Sequence, residues 1–204
     1  MIYHAVNGVC AVNINNVDPL ASIDEVLVFL ENEGFQLVNV NATSLVKQCV
    51  GKSKYRRCAP MCEAPGIVDC ISLIKWAYGD VGIWLPRDFL LWIDMAESVA
   101  YENLRVGDLV FTNGYHNRKA SNDKEIGHVG LMTDSGKIIH ATNRVGVEEV
   151  ALEAFLQKRQ FCCATRIIPE DGRVISLVIP ENQEVEISND IEWLLLDGFK
   201  LSVR

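Results

Sequence analysis

The sequence predicts an α+β fold, in which a buried helix carrying a cysteine packs on an antiparallel sheet carrying two histidines. Three observations lead there. From Asp69 or Val68 to about Tyr78 the chain is apolar on nearly every side, with only Ser72, Lys75 and Gly79 on a polar stripe, the pattern of a mostly buried helix. Leu104-Arg105-Val106-Gly107-Asp108-Leu109-Val110-Phe111 reads as a turn entering a strand. Two more strands follow on either side of Asp134-Ser135-Gly136, one carrying His128 and the other His140.

Composition sets the outer limits. The chain has 204 residues, 49% hydrophobic and 23% charged, which is a globular balance. A domain of ~150 residues already buries about 68–70% of its unfolded surface, so a sizeable core is expected. A net charge of −8 argues against nucleic acid or an anionic membrane surface as the main partner. No apolar run approaches the ~20 residues that span a bilayer. The start, Met1 to Cys10, lacks a basic region followed by a long apolar one, so no secretory signal is read there. The expected location is cytoplasmic, unless the protein is released by lysis or exported by another route.

The seven cysteines, at positions 10, 49, 58, 62, 70, 162 and 163, are expected to be reduced on the same ground. Cys58, Cys62, Cys162 and Cys163 could supply four zinc ligands, but their spacing is not that of the common knuckles. Buried small hydrophobes is the preferred reading, with no metal and no cofactor.

Three zones follow along the chain. Residues 1–40 form an N-terminal addition: an alternating stretch, then a capping box at Ser22-Ile23-Asp24-Glu25 that opens a helix from Ile23 to about Glu33, closed by Gly34. Residues 41–168 form the catalytic stretch, with a helix over Ser44–Val50, a turn at Pro65-Gly66, the cysteine helix, a polar loop from Thr112 to Glu125, and the histidine strands. Residues 169–204 start with a turn at Pro169-Glu170-Asp171-Gly172. They continue as a β-rich extension with strand-like runs at Val174–Ile179, Val185–Ile187 and Phe199–Val203.

The chemistry lies in Cys70, His128 and His140. A thiol becomes a strong nucleophile when something removes its proton, and a positioned imidazole does that. Cys70 stands at a helix N-terminus, whose positive end is expected to lower its pKa from about 8.5 into the 3.5–7.5 range. If Asp134-Ser135-Gly136 is a three-residue loop with Gly136 left-handed, Thr133 pairs with Lys137 and Gly130 faces His140. His128 then lies diagonal to His140 on the same face, within side-chain reach. A two-residue loop would put the histidines on opposite faces. In the first arrangement His128 shares a proton with Cys70, and His140 holds the His128 ring.

The stretch from Tyr55 to Ala141 resembles the NlpC-type family of bacterial cell-wall cysteine peptidases, a compact papain-like fold. The matching pieces are Tyr55, Asp69-Cys70, Gly82-Ile83-Trp84-Leu85-Pro86-Arg87, Gly107-Asp108-Leu109-Val110-Phe111, Gly127-His128-Val129-Gly130 and Ile139-His140-Ala141, in the family's order. The resemblance implies Cys70 as nucleophile, His128 as general base and His140 as the orienting residue. Tyr55 and Asp69 are similar to the family's active-site tyrosine and the aspartate flanking the nucleophile. The family usually has Ser-Gly after the cysteine, and its serine helps line the pocket for the substrate's free amino end in peptidoglycan-cleaving members; here Ile71 stands in that place, with Ser72 one position on.

The implied activity is hydrolysis of an amide bond in a peptidoglycan-type stem peptide, with a peptide or peptidoglycan fragment as partner. Acyl transfer, deamidation or toxin-like amidase action on another substrate keeps the same thioester chemistry, and a non-catalytic module of the same fold is the third reading. Arg87 is either an ion-pairing scaffold residue after Pro86 or a substrate contact. His116, Arg118, Arg56 and Arg57 read as solvated, Trp84 and Trp92 as core or groove walls, and His4 carries no signal.

Overall fold

The structure is a computed structural model that describes residues 2–16, 21–133, 136–170 and 172–202. It divides into two compact units. One comprises Met1–Val40, Tyr78–Trp84 and Glu170–Arg204; the other comprises Asn41–Ala77 and Leu85–Pro169.

In the first unit a three-stranded antiparallel sheet has Val174–Val178 at its centre, between Val9–Asn13 and Gln36–Leu37. Val9 pairs with Val178 and Asn13 with Val174. The helix Ile23–Asn32 starts where the capping box places it: Ser22 Oγ accepts from the Glu25 N–H, and Glu25 Oε2 accepts from the Ser22 N–H at 2.8 Å. It stops before Gly34, whose φ of +92° suits glycine. Val26 and Leu30 face a core with Cys10, Val12, Ile14, Phe35, Leu177, Ile191 and Leu195. Tyr78–Trp84, which the sequence reading leaves inside the catalytic stretch, belongs with this unit. Gly82 C=O accepts from the Ala11 N–H at 3.0 Å, and Val81 C=O accepts from Ser176 Oγ at 2.7 Å.

The C-terminal segment departs from the β-rich expectation. After the strand Val174–Val178 the chain forms a helix, Ser188–Ser202, where Phe199–Val203 reads as a strand from the sequence (Val203 lies outside the described residues). Ile191 and Leu195 are buried, with Leu194 and Phe199 packed against the same core, a stripe of helical period. At the helix start Asp190 Oδ2 accepts the N–H groups of Glu186 and Ile187, at 2.9 and 3.0 Å. Burial of the stripe outweighs the strand-like alternation of a short run.

The second unit is built on a six-stranded antiparallel sheet. Its order is Gly146–Ala151, Lys137–Thr142, His128–Met132, Asp108–Thr112, Phe161–Arg166, Glu97–Val99. The helix Cys70–Gly79 begins in this unit, and shorter helices run over Ala42–Cys49, Leu91–Met95 and Leu152–Gln157. Asp108, at the start of a central strand, is fully buried against Arg166 from the neighbouring strand. Two hydrogen bonds join them: Nε to Oδ1 at 2.8 Å and Nη2 to Oδ2 at 3.0 Å. A two-pronged pair of this kind locks the register between the strands it joins. No helix among the described residues is long and apolar enough to cross a membrane.

Candidate active site

Cys70 is the first residue of its helix because Asp69 caps it. Asp69 Oδ1 accepts the N–H groups of Ile71 and Ser72 at 3.0 and 2.6 Å, and Ser72 Oγ in turn accepts from the Asp69 N–H at 2.8 Å. Asp69 Oδ2 takes Arg87 Nη2 at 2.9 Å. With both oxygens engaged and only 5% of its surface exposed, this carboxylate fixes where the helix starts and so where Cys70 points. Ser72, on the expected polar stripe, is fully buried as the returning half of the cap. Upstream, Lys54–Tyr55 pairs in parallel with Ile67–Val68, which sets Tyr55 beside Val68, next to the cap.

The histidines come together as the longer loop requires. Met132 pairs with Ile138 and Leu131 with Ile139. Lys137 C=O accepts from the Thr133 N–H at 2.8 Å, and Gly136 has a φ of +66°. Asp134 and Ser135, the rest of the turn, lie outside the described residues. A Cβ on Gly130 would stand 2.4 Å from Ile138 Cγ2 and 3.4 Å from His140 Cβ, so only glycine lets the strands close here. His128 Nε2 and His140 Nδ1 are 3.0 Å apart, with the rings nearly perpendicular. The two are 8% and 3% exposed. The backbone N–H groups of Val129, which follows His128 in the chain, and of Cys70 and Ile71 act on the Cys70 sulfur and favour its thiolate.

The electrostatics correct one expectation. Part of Cys70 reaches solvent, yet protein atoms surround its sulfur closely. Burial, then the nearby Asp69 carboxylate, pushes the thiol up to about 12, against the three N–H groups that favour the thiolate. The helix N-terminus acts in the expected direction but is outweighed by desolvation. Burial, then the Arg159 guanidinium and His140, hold His128 well below the usual histidine range; burial and Arg159 bring His140 down to about 4. At neutral pH these shifts favour a neutral thiol and neutral imidazoles at rest. Tyr55 is also raised, by burial first and then by the charges of Cys70 and Asp69.

Arg87 is thus bound to Asp69, the scaffold half of its two sequence readings, with part of its side chain still exposed. Ile71 is half-buried next to Cys70. The polar-loop residues stay away from the histidine pair: Arg118 holds Asp88 with two bonds, at 2.8 and 2.7 Å, and His116 Nε2 accepts from Arg57 at 2.7 Å. All seven cysteines are unbridged thiols, and among the described residues no three His, Cys, Asp or Glu side chains gather as a metal site.

Three residues near the site escape sequence reasoning. The Phe155 ring packs against His140 and His128 at centroid distances of 5.0 and 5.8 Å. The Arg159 guanidinium lies over that ring at 5.5 Å. Glu148 stands directly across the strand pair from His140. Register extension through the turn between Thr142 and Gly146 could have found Glu148; nothing local marks the other two.

Comparison with known proteins shows the family and the fold. Residues 52–166, more than half of the chain, match the sequence model of the NlpC/P60 family. A probable endopeptidase of Corynebacterium glutamicum is 35% identical over 80 residues, which is 39% of this chain and 33% of that protein. The chain thus matches about a third of the length of that curated relative. Among solved structures, NlpC1 and NlpC2 of Trichomonas vaginalis share the fold with TM-scores of 0.53 and 0.52 at 21% identity. Each match covers 65% of this chain, and 46% and 48% of the respective protein.

Proposed function

The chain belongs to the NlpC/P60 family, and from that premise we propose that it is a thiol hydrolase cleaving an amide bond in a stem peptide of peptidoglycan type. The observation that carries the reading is the His128–His140 hydrogen bond, with the N–H of the adjacent Val129 acting on the Cys70 sulfur. His128 Nε2 is engaged, so the ring nitrogen left to exchange a proton with the thiol is Nδ1. The similarity to a probable endopeptidase supports a peptide bond as the target.

The chemistry runs through an acyl-thioester. His128 Nδ1 takes the Cys70 proton as the sulfur bonds to the amide carbonyl carbon. The C–N bond then breaks, and the imidazolium returns that proton to the departing amine. Water attacks the thioester and gives a proton to His128; the C–S bond breaks, and the proton returns to sulfur as the acid leaves. Because the resting pair is neutral, proton transfer and attack are coupled: the N–H groups of Val129, Cys70 and Ile71 favour the partial charge on sulfur as its proton leaves, and the full charge passes to the carbonyl oxygen of the tetrahedral intermediate before the C–N bond breaks. A positioned base of this kind contributes about 10²–10⁴-fold. The Asp69–Arg87 pair keeps the helix start in place, and Tyr55 forms the neighbouring wall.

Ile71 motivates one rival: the same thioester passed to another acceptor, or formed on an unrelated acyl group. Digestion of purified muropeptides with mass analysis of the fragments separates them. Stem-peptide fragments gaining one water are expected; intact muropeptides, or products carrying a transferred acyl group, would overturn the hydrolase reading.

A further inference from the structure

We propose that Glu148 is a positioning residue that sets the tautomer of the histidine pair; the inference rests on the thiol-hydrolase reading above. Glu148 lies directly opposite His140 in the antiparallel register, so both side chains share a sheet face. Its Oε1 stands 3.7 Å from His140 Nε2 and accepts from Thr142 Oγ1 at 3.3 Å, which holds the carboxylate towards the ring.

The reason lies in proton bookkeeping along the two rings. The hydrogen bond between His128 Nε2 and His140 Nδ1 can carry its proton from either side. If His140 Nδ1 donates, His128 Nε2 is the acceptor, and a neutral His128 keeps its proton on Nδ1, the nitrogen that must receive the thiol proton. The pair is then blocked as a base. If His128 Nε2 donates, Nδ1 of His128 is bare and ready, and the His140 proton sits on Nε2, facing Glu148. A negative oxygen at 3.7 Å favours a proton on the nitrogen it faces, so Glu148 selects the second arrangement. The distance is longer than a direct hydrogen bond, so the bias is a field across the strand pair. Arg159 also acts on the two histidines. It attracts Glu148 while disfavouring protonated histidines, so the pair is kept neutral and correctly ordered.

The test reads the rings themselves. In full-length protein with ¹⁵N-labelled histidine at pH 7, wild type should show His140 protonated at Nε2 and His128 bare at Nδ1. Glu148→Gln, which keeps shape and removes charge, should move His140 towards the Nδ1–H tautomer and lower kcat by about tenfold with little change in KM. Glu148→Asp should recover part of both. Unchanged ring tautomers in Glu148→Gln and in Glu148→Ala overturn the proposal even if activity falls, because the residue would then act only on the fold. The nitrogen signals do not depend on turnover. If Cys70 proves dispensable while the tautomers shift, the hydrolase reading fails and the tautomer assignment stands.

Discussion

His128 Nε2 meets His140 Nδ1 at 3.0 Å, so the two rings form one hydrogen-bonded unit walled by Phe155. Removing either ring should therefore be harmful, but unequally. His128→Ala deletes the proton acceptor and should lower kcat/KM by about 10²–10⁴-fold. His140→Ala leaves a misaligned base and should cost less. Steady-state kinetics of both variants decide the order, and the reverse order would mean that the roles are exchanged.

The resting charge state gives a pH dependence with a definite sign. Burial raises the Cys70 thiol to about 12 and holds His128 well below its ordinary range, so across pH 6 to 9 neither group is charged at rest. A raised thiol pKa means that thiolate is scarce at neutral pH and increases as pH rises. Iodoacetamide labelling of Cys70, followed by intact mass, should be slow at pH 6 and should accelerate about tenfold per pH unit. A rate that plateaus below pH 7 would indicate a thiolate–imidazolium pair instead.

The buried Asp108–Arg166 pair predicts a stability effect. Asp108→Ala leaves a guanidinium without its two-pronged partner and should destabilise the protein by about 3–5 kcal/mol. The exposed Arg118–Asp88 pair, though equally short, is screened by water, so Arg118→Ala should change stability little. Urea unfolding of both variants compares them; equal midpoints would remove the structural role given to Asp108.

Much of this was legible from sequence where the signal was local. Ser22 and Glu25 announce a capping box, and the turn at Gly136 sets Thr133 opposite Lys137 and hence both histidines on one face. The cysteine at a helix start could be read, but its charge state could not. The amides that favour thiolate are near in sequence, whereas the desolvation that opposes them comes from the folded surroundings. Asp69 reads as a flanking residue, and its shared commitment to the helix cap and Arg87 depends on a fold that brings position 87 back. Phe155 and Arg159 sit on or just after a short helix between strands the sequence reading does not resolve. The C-terminal helix was hidden because Phe-Lys-Leu-Ser-Val at 199–203 alternates apolar and polar residues as a strand does, and only the wider Ile191, Leu195, Phe199 spacing reveals its period.

Ile71 predicts a substrate preference. An ammonium buried beside it lacks the acceptor that a serine would offer, and an unpaired polar group costs about 1–3 kcal/mol. Wild type should favour stems without a free amine at that position, and Ile71→Ser should shift preference towards free amino ends by roughly 5- to 150-fold. Paired stem peptides with free and acetylated amino ends measure it. A strong wild-type preference for the free amine, unchanged in Ile71→Ser, would make Ile71 a packing residue only.

The central claim is that Cys70 is the nucleophile of an amide hydrolase. Its most direct test is muropeptide cleavage by Cys70→Ala beside wild type, with circular dichroism to establish that both are folded. Removing one small side chain at a partly exposed helix start should leave the fold intact. The account predicts water-adding cleavage by wild type and none detectable in Cys70→Ala; cleavage by the variant within about tenfold of wild type, equivalent to only ~1.4 kcal/mol of barrier, would contradict it.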